Sequence, residues 1–258
     1  MNDSALGLGR RLLAEFLGTA MLLAAVVGSG IAAQRLSPSD TGLELLENSV
    51  ATGLALVAII LAVGPISGAH LNPVVTMTDW LCGGIRARTG AFYVAAQLVG
   101  GVTGVVIANL MFGLSAIEPA SKVRWGMGLW IGELVATYGL LLVVFGVVRS
   151  RQASMVPIAV GSYIAAAYWF TSSTSFANPA VTIARTLSDT FAGIAPRDVA
   201  PFVIAQVLGA LAATVTIRLL FPDRRQIAEG VTVPHPTEVK PRCHACSSSA
   251  DRTQAGPR

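Results

Sequence analysis

The sequence predicts an all-α membrane protein: six spanning helices and two re-entrant half-helices, built as an inverted repeat. Three observations carry this. The chain of 258 residues is 53% hydrophobic and only 12% charged, against about 25% charged residues in a soluble domain. Its apolar runs recur from residue 12 to residue 221, so the first is a span and not the core of a cleaved signal. Two stretches nearly repeat each other, Ser67-Gly68-Ala69-His70-Leu71-Asn72-Pro73-Val74-Val75-Thr76 and Ser175-Phe176-Ala177-Asn178-Pro179-Ala180-Val181-Thr182.

Residues 1–11 form a polar lead ending in Arg10-Arg11, and Leu12 to Ala33 is the first span. It carries Glu15, an acid that must face the bundle interior and find partners there. From Asn48 to Thr78 there is no formal charge, a run too long for one helix. Gly64-Pro65 and Ser67-Gly68 divide it into a second span ending near Ala62, a loop, and a half-helix from Pro73. Proline suits the first helical turn, with asparagine as the cap before it. A half-helix of roughly nine residues covers less than half of a hydrocarbon core about 30 Å thick. Irregular backbone at that depth is tolerated only where protein or a watery cavity surrounds it. Thr89 to about Phe112 is the third span, with Gln97 inside.

After a polar connection from Glu118 to Gly128 the pattern restarts. Leu129 to Val148 holds Glu133, Gln152 to Ala184 is a second overlong uncharged run with Asn178-Pro179 near its far end, and Pro201 to Phe221 is the last span. The offsets 133 − 15 = 118, 178 − 72 = 106 and 206 − 97 = 109 mark a duplication of about 12–117 in about 129–221. Three crossings per copy make the copies enter the bilayer from opposite sides, with the site where they meet near the midplane. Residues 222–258, rich in Pro, Ser and Thr, read as a disordered tail. With the N-terminus cytoplasmic, nine Lys/Arg flank the inner ends against four at the outer loops, which puts both termini inside.

The net charge of +4 sits at the flanks of the spans and forms no stripe, so nucleic-acid binding has no support. No nucleophile stands beside a base and no cofactor motif is present, which argues against an enzyme. Two opposed helix N-termini, each equivalent to roughly +0.5 charge, repel cations and protons. A neutral solute instead accepts hydrogen bonds from the amides of Asn72 and Asn178. It also meets backbone carbonyls of Gly68, Ala69, His70, Phe176 and Ala177. For both asparagines simple helix capping is the plain alternative, and capping and pore lining coexist. Glu15 and Glu133 are read as acceptors for the two loops, the alternative being proton or ion carriers.

On these residues the chain resembles the major intrinsic protein family, the aquaporins and aquaglyceroporins. Two Asn-Pro-x motifs, Glu15 and Glu133, and the duplicated order cover about residues 10–221. The resemblance implies a right-handed aquaporin-like bundle, a pore in each subunit of a homotetramer, small neutral solutes as partners and a bacterial inner-membrane location. Counted as in that family, the selectivity filter falls on Thr52, Ala166, Ser175 and Val181. Val181 departs from the usual arginine, with Arg185 one turn on either swinging into the mouth to replace that charge or anchoring the half-helix, and Val74 departs from the usual alanine. These small residues imply a wide, uncharged ring without an aromatic, passing polyols as well as water. Val181 resembles a bacterial branch associated with arsenic resistance, the aquaporin-S type, which implies arsenite or methylated arsenicals. The alternatives are a mainly water-selective channel and, from another class, an ion-coupled transporter. Cys243 and Cys246 in the tail are a weak thiolate candidate for a soft metal.

Overall fold

The computed structural model describes residues 7–150 and 152–220. The expected tail, with Cys243 and Cys246, lies outside them. The described chain is helical: α1 (Leu8–Leu36), α2 (Thr41–Ser67), α3 (Pro73–Cys82), α4 (Ala87–Met111), α5 (Met127–Arg149), α6 (Val156–Phe170), α7 (Pro179–Ala184) and α8 (Val199–Leu220). Single 3-10 turns lead into α6 and α8 and follow α7. Six segments are long and apolar enough to cross a membrane, the fifth being α6 with its leading turn.

The first span runs four residues beyond its expected start and three beyond its expected end, because Leu8 to Arg11 and Gln34 to Leu36 continue the helical backbone. One break is misplaced in the sequence reading. Gly64-Pro65 does not end α2, which runs through Pro65 to Ser67 and stops at Gly68, where φ is 88°. A proline so near the C-terminus removes one backbone hydrogen bond, and the left-handed glycine that follows terminates the helix.

The two copies pack as equivalents. In the first, α1 lies along α2 and α4; in the second, α5 lies along α6 and α8. The copies join where α2 crosses α6, and Gly53 faces Gly161 there. An added Cβ on Gly53 would stand 2.8 Å from the Gly161 carbonyl oxygen, and one on Gly161 2.5 Å from that of Gly53. Only residues without Cβ let two backbones approach this closely. The half-helices α3 and α7 fill the space inside this frame. Their short length follows from sequence: Asn72 and Asn178 cap the N-termini by accepting from Val74 N–H and from Ala180 and Val181 N–H, with Pro73 and Pro179 in the first turn. Gly83, at φ 88°, ends α3.

Both ends of the described chain lie at one face of the bundle, here the termini face. At the opposite face the segment after α4 runs beside the one after α7: Glu118 and Ala120 N–H donate to the carbonyls of Leu187 and Thr186, and Ala195 N–H to that of Lys122.

Candidate functional site

The site begins with two buried acids. Glu15 is fully buried in α1, and its carboxyl oxygens accept four hydrogen bonds: Oε1 from Ser67 Oγ (2.7 Å) and His70 N–H (2.9 Å), Oε2 from Leu71 N–H and Gln97 Nε2 (both 2.8 Å). Glu133 in α5 repeats this. It accepts from Phe176 N–H (2.8 Å), Ala177 N–H (2.9 Å) and Gln206 Nε2 (2.6 Å). Each glutamine then reaches the following half-helix, Gln97 at Thr76 Oγ1 (3.1 Å) and Gln206 at Thr182 Oγ1 (2.8 Å). Neither acid lines the cavity described below. The bonds to both acids come from the two loops, from Ser67 at the end of α2, and from the glutamines behind them.

These acids hold backbone that would otherwise relax. Ala69 (φ 48°) and Leu71 (φ 51°) are left-handed, and so are Ser175 (φ 48°) and Ala177 (φ 47°), their partners 106 residues on. A side chain in that region costs roughly 1–2 kcal/mol. The intervening His70 and Phe176 are not left-handed, so the chain alternates and turns successive carbonyls toward one side. Two further observations place that side. Gly68, Ala69, His70 and Leu71 line a cavity together with Ser175, Phe176 and Ala177. The N–H groups of His70, Leu71, Phe176 and Ala177 point away, into Glu15 and Glu133.

At the centre the copies exchange bonds. Asn72 Nδ2 donates to the Ala177 carbonyl and Asn178 Nδ2 to the Leu71 carbonyl, both at 2.8 Å. An amide nitrogen carries two hydrogens. One N–H of each asparagine is thereby fixed to the opposite loop, and both residues line the cavity with the other available. Pro73, Val74, Pro179 and Ala180 stand behind them and do not line it. The helix N-termini thus meet at one point with two amide donors between them.

The cavity, about 400 Å³, has a wall reaching from Ala153 and Ser154 at the termini face to Tyr168 and Arg185 near the other. Most of the wall is apolar, with Leu56, Ile60, Val144, Val160 and Ile164 contributing. Of the expected filter, Thr52, Ser175 and Val181 line it. Ala166 does not, because it is exposed on the outer side of α6. The inward stripe of α6 is Val160, Ile164 and Tyr168, at four-residue spacing. Tyr168 therefore stands on the cavity wall beside Thr52, its hydroxyl 3.3 Å from Thr52 Oγ1. A second side chain adds a charge to the same wall. Arg185, only 2% exposed, lines the cavity; its Nε donates to the Ala192 carbonyl and its guanidinium carbon lies 3.5 Å from the centroid of the Phe176 ring. Tyr168 was visible in sequence as the third member of that stripe, matching Ile60 at the offset 108 that also relates Gly53 to Gly161.

His70 contributes its backbone to the cavity, while its ring is buried under α3. There Nδ1 lies 3.0 Å from Thr76 Oγ1 and Nε2 3.7 Å from Asp79 Oδ2. Tyr93 stands edge-on to the ring at 5.3 Å, accepts from Arg11 Nε at 2.6 Å and donates to the Ser67 carbonyl.

Comparison with known proteins agrees with this geometry. The family model described as major intrinsic protein matches residues 4–176. The chain is 47% identical over 220 residues to the aquaglyceroporin AqpS of Rhizobium meliloti (strain 1021), covering 85% of this chain and 94% of that one. It is 31% identical to the probable aquaporin AqpM of Archaeoglobus fulgidus, over 80% of this chain and 94% of the relative. The X-ray structure of the aquaglyceroporin from Plasmodium falciparum superposes with a TM-score of 0.66 at 22% identity, covering 85% of this chain and all of that one. The chain accordingly belongs to the major intrinsic protein family, whose members are membrane channels and not enzymes.

Proposed function

We propose that this channel passes small uncharged polyhydroxy solutes, glycerol and trivalent arsenite among them, together with water, down their own gradients. The observation that carries the reading is the pair of asparagine amides at the meeting of the half-helices, set in an otherwise apolar wall. A polyol places its hydroxyl oxygens on those N–H groups and its hydroxyl hydrogens on the loop carbonyls, while its carbons lie against Leu56, Val160 and Ile164. Arsenous acid is a neutral polyhydroxy molecule and meets the same groups. The name of the Rhizobium relative supports glycerol as a solute. We place both termini in the cytoplasm, on the cation bias given above, and assign a homotetramer in a bacterial inner membrane, with Asn72, Asn178, Thr52, Ser175 and Val181 as pore residues.

One observation favours a second, narrower reading. An aromatic and an arginine, Tyr168 and Arg185, share the wall with Thr52 and Ser175, which suits a mainly water-selective channel. Stopped-flow light scattering on proteoliposomes separates the two. The polyol reading expects glycerol and arsenite permeation well above protein-free vesicles; water flux alone would contradict it. Val181→Arg should then slow glycerol and arsenite at least about tenfold, equivalent to about 1.4 kcal/mol of added barrier, and water much less. Equal slowing of all three would remove Val181 from the ring.

A further inference from the structure

The two copies carry opposite charges at one equivalent position. Asp79 in the first and Arg185 in the second are separated by 185 − 79 = 106, the same offset as the asparagines. Asp79 is fully buried beside His70 near the end of α3. Arg185 is buried at the cavity wall, and the residue matching His70 is Phe176. The end of the cavity away from the termini is therefore the cationic one.

Arg185 is poorly matched there. Among the described residues it makes one hydrogen bond, from Nε to the Ala192 carbonyl, and has no carboxylate within ion-pair distance. Its terminal nitrogens donate nothing within the described residues, yet neither is sealed from the cavity. A second guanidinium, that of Arg124, approaches the same Phe176 ring at 4.8 Å. Arg124 is 7% exposed and donates to the carbonyls of Gly193 (2.8 Å) and Phe191 (3.3 Å), neutral acceptors that leave its charge unbalanced. Glu133 attracts both at longer range, but its oxygens are occupied by the loop and Gln206. Asp198 accepts from the Arg124 backbone N–H and lies 3.8 Å from Arg197, not on the Arg124 side chain. Burial, and after it the fields of Arg124 and Arg185, lower the Lys122 ammonium in the neighbouring loop to about 8.

A buried cation without a counter-charge is costly unless something pairs with it. A guanidinium presents parallel N–H donors that fit an oxyanion two at a time. We propose that Arg185, backed by Arg124 across the Phe176 ring, forms an anion subsite at this end of the cavity, taking a small monovalent oxyanion. Ser175 and Tyr168, on the same wall, supply neighbouring hydroxyls. An anion held there stands in the path of the neutral solute and slows it. The opposite end offers no such site, since Asp79 occupies the equivalent position.

This deepens the polyol reading and rests on it. Methanesulfonate is a suitable probe, being a tetrahedral monoanion that stays ionised and does not cross lipid. Full-length protein in proteoliposomes is loaded and bathed in sodium methanesulfonate or sodium chloride at equal ionic strength, and glycerol flux is compared within each protein. Wild-type flux should fall up to about twofold at the anion's dissociation constant, where half the sites are filled, and further above it. The ratio should return to one in Arg185→Gln, and Arg185→Lys, which keeps charge but loses the fork, should show a weaker block. In detergent, methanesulfonate should raise the unfolding temperature of wild type above its value in chloride, and not that of Arg185→Gln. Equal wild-type flux in the two salts, the same slowing in Arg185→Gln, or no thermal shift would each overturn the subsite. Absence of glycerol flux in chloride would instead refute the polyol reading, leaving the thermal shift to decide the subsite.

Discussion

Replacing Glu15 by leucine is expected to abolish the folded channel. Four donors converge on that carboxyl group, two of them backbone N–H groups of the loop that leads into α3. Leucine has similar bulk and no acceptor, so those donors are stranded in a dry interior. An unsatisfied buried donor costs roughly 1–3 kcal/mol, and four of them approach the ~5–15 kcal/mol that stabilises a typical protein. The left-handed residues Ala69 and Leu71 then lose the bonds that hold them, and the carbonyl ladder goes with them. Glu133→Leu should act alike on the second loop, through Phe176 and Ala177. Size-exclusion profiles and thermal unfolding in detergent provide the readout. A monodisperse Glu15→Leu protein with wild-type melting would show that the acid does not organise the loop.

Asn178→Asp should convert the pore into one that leaks protons or cations. The substitution changes almost no volume, but it removes the donor to the Leu71 carbonyl and sets a carboxylate where the half-helices meet. Two N-termini of roughly +0.5 charge each supply about one unit of positive charge at that point. One carboxylate is enough to cancel it, and the barrier to cations falls accordingly. Decay of an imposed pH gradient, followed with an entrapped dye, should quicken by about tenfold or more, which corresponds to about 1.4 kcal/mol of lost barrier. Glycerol flux should fall in the same variant, since one solute-facing amide is gone. A well-folded Asn178→Asp protein with an undisturbed pH gradient would mean that the helix ends do not form the barrier.

The features that repeat were legible in the chain, because duplication turns weak signals into mutual support. Asn72 and Asn178, Glu15 and Glu133, Gln97 and Gln206 each identified a partner; the asparagines bond across to the opposite loops, while Glu15 with Gln97 and Glu133 with Gln206 stand one set in each copy. What sequence missed was helix phase. Counting from the motifs as in the family gives Ala166, but the inward face of α6 carries Val160, Ile164 and Tyr168, and residues 171–177 after it form an irregular loop with Thr174 and Ser175 left-handed. Neither residue is a glycine, so nothing in their identity announces the turn. Pro65 misled in the other direction, since a helix tolerates a proline when its own end is two residues away. For Arg185 the sequence leaves two roles open, entering the mouth or anchoring the half-helix; the side-chain path folds it over Phe176 into the wall.

A single proteoliposome preparation of the wild-type chain gives the most direct measurement: glycerol permeability and proton permeability recorded side by side. Two opposed half-helices around a neutral throat require rapid glycerol entry with a pH gradient that decays no faster than in empty vesicles. Proton or ion conduction rising in step with glycerol, or vesicles no more permeable to glycerol than bare lipid, would contradict it.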